Sequence, residues 1–120
     1  MKFYSMAFMV LILFFSSKAL LAQEIQMGKY SVNNSAQNYT LDKLSGERSM
    51  TIDVNFEKGF EKKPQVMLSV TLLDAGINSN IRYNVEAISV SRDGFTIKIS
   101  TWSDSIINGI AGNWVAIAGK

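Results

Sequence analysis

The chain has 120 residues, 48% of them hydrophobic, with 12 Lys and Arg against 10 Asp and Glu, and it contains neither His nor Cys. A chain of that length makes one small domain. The missing residue types exclude an imidazole base, a thiolate nucleophile, a Cys/His zinc centre and any disulfide, since these need a group titrating near neutrality or a sulfur ligand.

A short basic start, Met1-Lys2, precedes an apolar run from Ala7 to Phe15, and Ala19-Leu20-Leu21-Ala22 supplies a small-residue exit before Gln23. These are the three parts of a secretory signal peptide, so residues 1–22 are expected to be removed and the protein exported, with no membrane insertion afterwards. The apolar run is shorter than the roughly 20 residues of a spanning helix, although Leu20 and Leu21 extend it; an uncleaved anchor is the alternative. Removal takes Lys2 and Lys18 and leaves ten basic and ten acidic residues in 23–120. A neutral domain has no general electrostatic attraction to nucleic acid, and none is expected as a partner. Without disulfides, its stability must come from strand packing or oligomerisation.

After Gln23 the apolar residues recur at period two, the pattern of strands with one buried face. A first strand is expected over Ile25–Val32. The mostly polar connection from Asn33 to Ser49 is the longest in the chain, and long connections in compact domains are often functional. Next, Met50, Ile52, Val54 and Phe56 alternate strictly with polar residues and should all point inward. Pro64 opens a third strand over Gln65–Asp74, with Val66, Leu68, Val70 and Leu72 expected on one face. The turn-rich segment Ala75–Asn80 leads to a fourth strand over Ile81–Ser91. Arg92-Asp93-Gly94 signals a tight hairpin with Gly94 at positive φ. Phe95–Thr101 and Gly109–Ala118 are the last two strands, with Ile110, Gly112, Trp114 and Ala116 on one side. Six short strands without an amphipathic helix indicate an all-β fold, a six-stranded antiparallel β-sandwich.

Two places carry side chains suited to a sugar. In Ser100-Thr101-Trp102-Ser103-Asp104-Ser105 an indole stands beside hydroxyl and carboxylate groups, which matches a pyranose with its apolar C–H face and rim of hydroxyls. The plain alternative is that Trp102 is packed away at a strand end. Arg82 follows the turn at residues 75–80, and its fork of donors suits several sugar oxygens; the alternative is a surface ion pair with Glu86 or Asp74. Paired carboxylates hydrolyse glycosides without His, but Asp42, Glu47, Asp53, Asp74 and Asp104 lie on different elements and no spacing selects a pair, so no enzyme is expected. No compact acidic loop offers the roughly six oxygen ligands of a Ca²⁺ site, and neither metal nor cofactor is expected. Asn33-Asn34-Ser35 and Asn38-Tyr39-Thr40 match the N-glycosylation pattern.

The stretch from Phe56 to Trp114 resembles the H-type lectin family, which includes snail agglutinins and the carboxy-terminal domains of discoidins. The resemblance rests on the ordered set Phe56, Phe60, Pro64, Val66, Ser69, Thr71, Leu73-Asp74, Asn80-Ile81-Arg82, Val90-Ser91, Gly94-Phe95, Thr101-Trp102 and Trp114. Ile25-Gln26-Met27-Gly28-Lys29 also looks like the family's first strand, which extends the likeness over most of residues 23–120. The resemblance implies a non-enzymatic, typically trimeric lectin that binds galactose or N-acetylgalactosamine. It further implies that Arg82 donates hydrogen bonds to the sugar and that Trp102 and Ser103 wall the site. Asn108 falls where snail agglutinins carry an aromatic residue and Ser103 where they carry His; both changes remove contact surface. An acidic residue from the long loop also belongs to the family's site, with Asp42 and Glu47 as the candidates here.

A trimer also has a physical basis, because Met67, Leu73, Ile88 and Val90 are expected to form an apolar face that an isolated sandwich would leave wet. The competing expectation is a structural or adhesion module that keeps the fold without binding sugar.

Overall fold

The computed structural model describes residues 23–43, 46–77 and 80–119, so the expected leader, residues 1–22, lies outside the described residues. Six strands follow one another: β1 (Gln23–Asn33), β2 (Arg48–Asn55), β3 (Gln65–Ala75), β4 (Tyr83–Ile88), β5 (Gly94–Thr101) and β6 (Ile107–Gly119). They pair as two three-stranded antiparallel sheets, β1-β6-β3 and β2-β5-β4. This is the expected six-stranded sandwich, and the described residues contain no helix.

Alternation decides which side chains enter the core. Phe95, Ile97 and Ile99 on β5 and Ile110, Trp114, Ala116 and Ala118 on β6 are buried between the sheets. At one pole Phe56, Phe60, Phe95 and Trp114 form an aromatic cluster, with Phe56–Phe60 centroids 4.9 Å apart and Phe95–Trp114 centroids 5.4 Å apart, both edge to face. Such pairs add about 1 kcal/mol each to the area they bury. These four residues belong to the set that carries the family resemblance, so much of that set describes the core.

Trp114 lies across its β1 neighbour Gly28, where an added Cβ would come within 2.6 Å of the indole ring. Gly28→Ala is therefore expected to push Trp114 out of its packing and to cost about 1–3 kcal/mol in urea unfolding; a change below 0.5 kcal/mol would show that the ring has free space. Gly94 answers a different need from the one expected. It is not among the positive-φ residues; Ser89, at φ 53°, takes the left-handed conformation just after β4. At Gly94 the requirement is close approach, since a Cβ there would sit 2.3 Å from the Val54 carbonyl oxygen.

The outer surfaces depart from the expected pattern. A register shift between Val70 and Leu72 on β3 inserts a bulge against β6. A one-residue shift exchanges the two faces of a strand. Leu72, expected on one face with Val66, Leu68 and Val70, consequently pairs beside outward-facing Ala111 and is 54% exposed. The proposed apolar face of Met67, Leu73, Ile88 and Val90 does not exist as one surface. Met67 faces out from the first sheet, Leu73 pairs beside buried Ile110, Ile88 lies across from Thr96 on the second sheet, and Val90 packs against the core. A different apolar face takes its place. Met27, Val115 and Met67 stand in one row across the outside of the first sheet, with Ile25 and Ile117 in the next row. Ile25, Met27 and Met67 are all more than half exposed. The outside of the second sheet carries Thr51, Asp53, Thr96, Lys98, Asn84 and Glu86 instead.

Candidate functional site

The expected sugar-contacting residues gather at the pole away from the aromatic cluster, where β5 ends and β2, β4 and β6 begin. Arg82 precedes β4 and is not part of it: its backbone N–H donates to the Ser105 hydroxyl at 2.8 Å, and the Thr101 hydroxyl donates to its carbonyl at 2.6 Å. Side-chain bonds thus replace the sheet ladder at this point, which is why β4 starts at Tyr83 and not at Ile81 as expected. The Ser105 hydroxyl also donates to the Asn80 carbonyl, so this fully buried residue ties the approach to β4 onto the chain leaving β5.

Trp102, Ser103 and Asp104 lie on that departing chain. Ser105 N–H closes a turn onto the Trp102 carbonyl at 3.4 Å, with Ser103 in the left-handed region at φ 60°. Trp102 is 41% exposed and is not buried at the strand end. The Arg82 guanidinium is paired, but with Asp104 and not with Glu86 or Asp74: Nη1 donates to Oδ1 at 2.7 Å. Both side chains face solvent in part, so the pair adds little to stability. It holds the guanidinium next to the turn that carries the exposed indole.

The long connection closes the same pole and is less open than its polar composition suggests. Tyr39 and Leu41 are buried in the core; the Tyr39 hydroxyl donates to the Ile107 carbonyl at 2.6 Å, and Ile107 N–H donates to the Leu41 carbonyl at 3.0 Å. Burial, then the charges of Asp42 and Asp74, pushes the Tyr39 phenol up to about 12, so it remains a donor at neutral pH. Asp42 rides beside this anchor, with Lys43 Nζ 4.0 Å from its Oδ1, which is buried and has no hydrogen-bond partner among the described residues. Asn108 is half-buried at the start of β6, and its carbonyl accepts from Asn34 N–H at 2.9 Å. Glu47 is exposed just before β2. Two groups therefore share one pole: Arg82, Trp102, Ser103 and Asp104 on one side, Asp42 and Asn108 on the other.

A residue that the sequence reading missed links them. Arg48 is only 8% exposed. Its Nε donates to the Gly46 carbonyl at 3.0 Å, Nη1 to the Lys43 carbonyl and to Ser105 at 2.8 Å, and Nη2 to Ser103 at 3.0 Å. One planar fork thus staples the long loop to the Trp102–Ser105 turn, a task that a lysine's point charge does not perform. The only signal in the sequence was a charged residue at the mouth of an otherwise alternating strand.

Two clefts away from this pole are lined by none of the expected sugar-contacting residues. One of about 580 Å³ is lined by Glu24, Ile25, Gln26, Glu57 and Lys58, and a polar one of about 270 Å³ at the aromatic pole includes Asp53, Ser91 and Asp93.

The sequence model of the H-type lectin domain matches residues 51–117, more than half of the chain. The chain belongs to the H-type lectin domain family, whose members have a carbohydrate-binding fold. A curated relative, ATP synthase subunits region ORF 7 of Fuscovulum blasticum, is 30% identical over 73 residues, which are 61% of this chain and 64% of that protein. Among solved structures, discoidin II of Dictyostelium discoideum superposes with a TM-score of 0.72 at 21% identity, over 82% of this chain and 37% of discoidin II. The tailspike protein gp49 of Pseudomonas phage LKA1 shares the fold with a TM-score of 0.57 at 23% identity, over 79% of this chain and 15% of the tailspike. The chain thus spans less than two thirds of each of these proteins.

Proposed function

We propose that this protein is an exported, non-enzymatic lectin that recognises galactose or N-acetylgalactosamine on glycans as a trimer. The observation that carries the reading is the pairing of the solvent-facing Arg82 guanidinium with Asp104, in the same turn that carries the half-exposed Trp102 and that Arg48 and Ser105 hold from both sides. An indole accepts the C–H face of a pyranose and the guanidinium donates to its oxygens. Ser103 completes the wall, while Asp42 and Asn108 stand at the same pole as further polar contacts. The apolar outer face of the first sheet supports assembly, since a contiguous patch of that kind on an isolated domain is unfavourable. Weak sites on one rigid assembly gain avidity for clustered glycans.

A glycan array with residues 23–120 and the Arg82→Ala variant tests the reading. Wild type is expected to bind terminal galactose-type sugars selectively, and the variant to lose about tenfold or more, the worth of a hydrogen bond from a charged donor. Its unfolding midpoint should hardly move, because an exposed ion pair contributes little. The second reading, an adhesion module without sugar binding, is favoured by Ser103 and Asn108, which offer no ring for stacking. Folded wild-type protein that binds no glycan at all would establish it.

A further inference from the structure

Asp104 lies in the turn whose residues suit a sugar, and its carboxylate accepts from the Arg82 guanidinium. We propose that Asp104 contacts the sugar directly as the hydroxyl acceptor of this site and that, with Arg82, it makes the site select uncharged sugars over acidic ones; this rests on the lectin reading above.

Three observations lead there. The 2.7 Å contact joins one guanidinium nitrogen to one carboxylate oxygen. A guanidinium carries five N–H groups and a carboxylate about four acceptor positions, so most of the pair's capacity is left for a ligand on its exposed side. Next, the pair is held in place: Asp104 sits in the turn whose Ser103 and Ser105 carbonyls accept from Arg48, and Arg82 is tied by its own N–H to the Ser105 hydroxyl. Finally, exposed Trp102 lies two residues from Asp104, within the same turn.

A donor next to an acceptor is the complement of a sugar hydroxyl, which accepts from the guanidinium while donating to the carboxylate. Adjacent hydroxyls on one ring can engage both partners at once. An anionic sugar meets a different field. An unpaired arginine would attract a sialic acid, uronic acid or sulfated sugar, but here the carboxylate neutralises the guanidinium and repels a second anion beside it. Asp104→Asn keeps the shape and removes the charge, and leaves Arg82 as an unopposed cation.

The experiment compares wild type, Asp104→Asn, Asp104→Ala and Arg82→Ala by titration with N-acetylgalactosamine and galactose, and on an array bearing sialylated and sulfated galactosides. Asp104 is 57% exposed, so both of its variants should unfold at the wild-type midpoint. The expected result is a loss of about tenfold for the neutral sugars in both Asp104 variants, with a gain of similar size for the acidic glycans in Asp104→Asn. If Asp104→Asn binds neutral sugars like wild type and gains nothing for acidic ones while Arg82→Ala loses binding, Asp104 is a surface partner only and the inference fails, with the lectin reading intact. Wild type without affinity for any sugar would overturn the lectin reading itself.

Discussion

Arg48→Leu is expected to destabilise the domain by about 3–5 kcal/mol and to abolish glycan binding even where the variant remains folded. The side chain is nearly buried and donates to four carbonyls, those of Lys43, Gly46, Ser103 and Ser105. Each hydrogen bond from a charged donor contributes roughly 1.5–3 kcal/mol, but the carbonyls nearer the surface would recover part of this from water. Domains of this kind have about 5–15 kcal/mol in total, so the loss is a large fraction. It is also local. The Trp102–Ser105 turn would lose its tie to the long loop, and with Ser103 at φ 60° its backbone would relax from a conformation that costs a non-glycine residue about 1 kcal/mol. Arg48→Lys should recover less than half of the stability, because one ammonium cannot reach acceptors on both segments. Urea unfolding together with glycan titration checks this; an Arg48→Leu protein within 1 kcal/mol of wild type and with unchanged binding would mean that the bonds of Tyr39 and Leu41 to Ile107 suffice to hold the long loop at this pole.

The second large effect concerns assembly. Met27→Glu places a charge at the most exposed position of the Met27–Val115–Met67 row, where Met27 is 70% exposed. An exposed substitution of this kind changes the fold by only about 0.5 kcal/mol. If the row lies between copies of the chain, the buried carboxylate breaks the contact. Sedimentation should then show a trimer for wild type and a monomer for the variant at micromolar concentration. Apparent affinity for a dense glycan surface should fall by about 10²–10⁴ with the loss of multivalency, and the unfolding midpoint should fall to a value independent of protein concentration, since assembly stabilises only the folded chain. A monomeric wild type would remove the trimer from the functional reading, and an unaltered trimer in Met27→Glu would move the interface elsewhere.

Much of this was already set by the order of residues. Alternation in Met50–Phe56 and Phe95–Thr101 has one comfortable solution, a strand with one face in the core, and these two, like the largely apolar run Gly109–Ala118, are strands whose boundaries shift by at most two residues. The lone indole beside hydroxyls and a carboxylate at the end of β5 was equally legible, since residues in one short turn are close in any fold. What the tertiary structure decided were relations between segments distant in sequence. The bulge opposite Ala111 reversed the faces of Leu72 and Leu73, because register depends on the partner strand and not on the strand's own pattern. The polar loop at 34–47 hid Tyr39 and Leu41 as core residues, since their partner Ile107 lies more than sixty positions on. Arg82 found Asp104 instead of Glu86 or Asp74 because Ser105 drew it out of the sheet ladder. Arg48 was invisible for the same reason: its acceptors are backbone carbonyls, which every residue possesses and only the folded chain brings to one place.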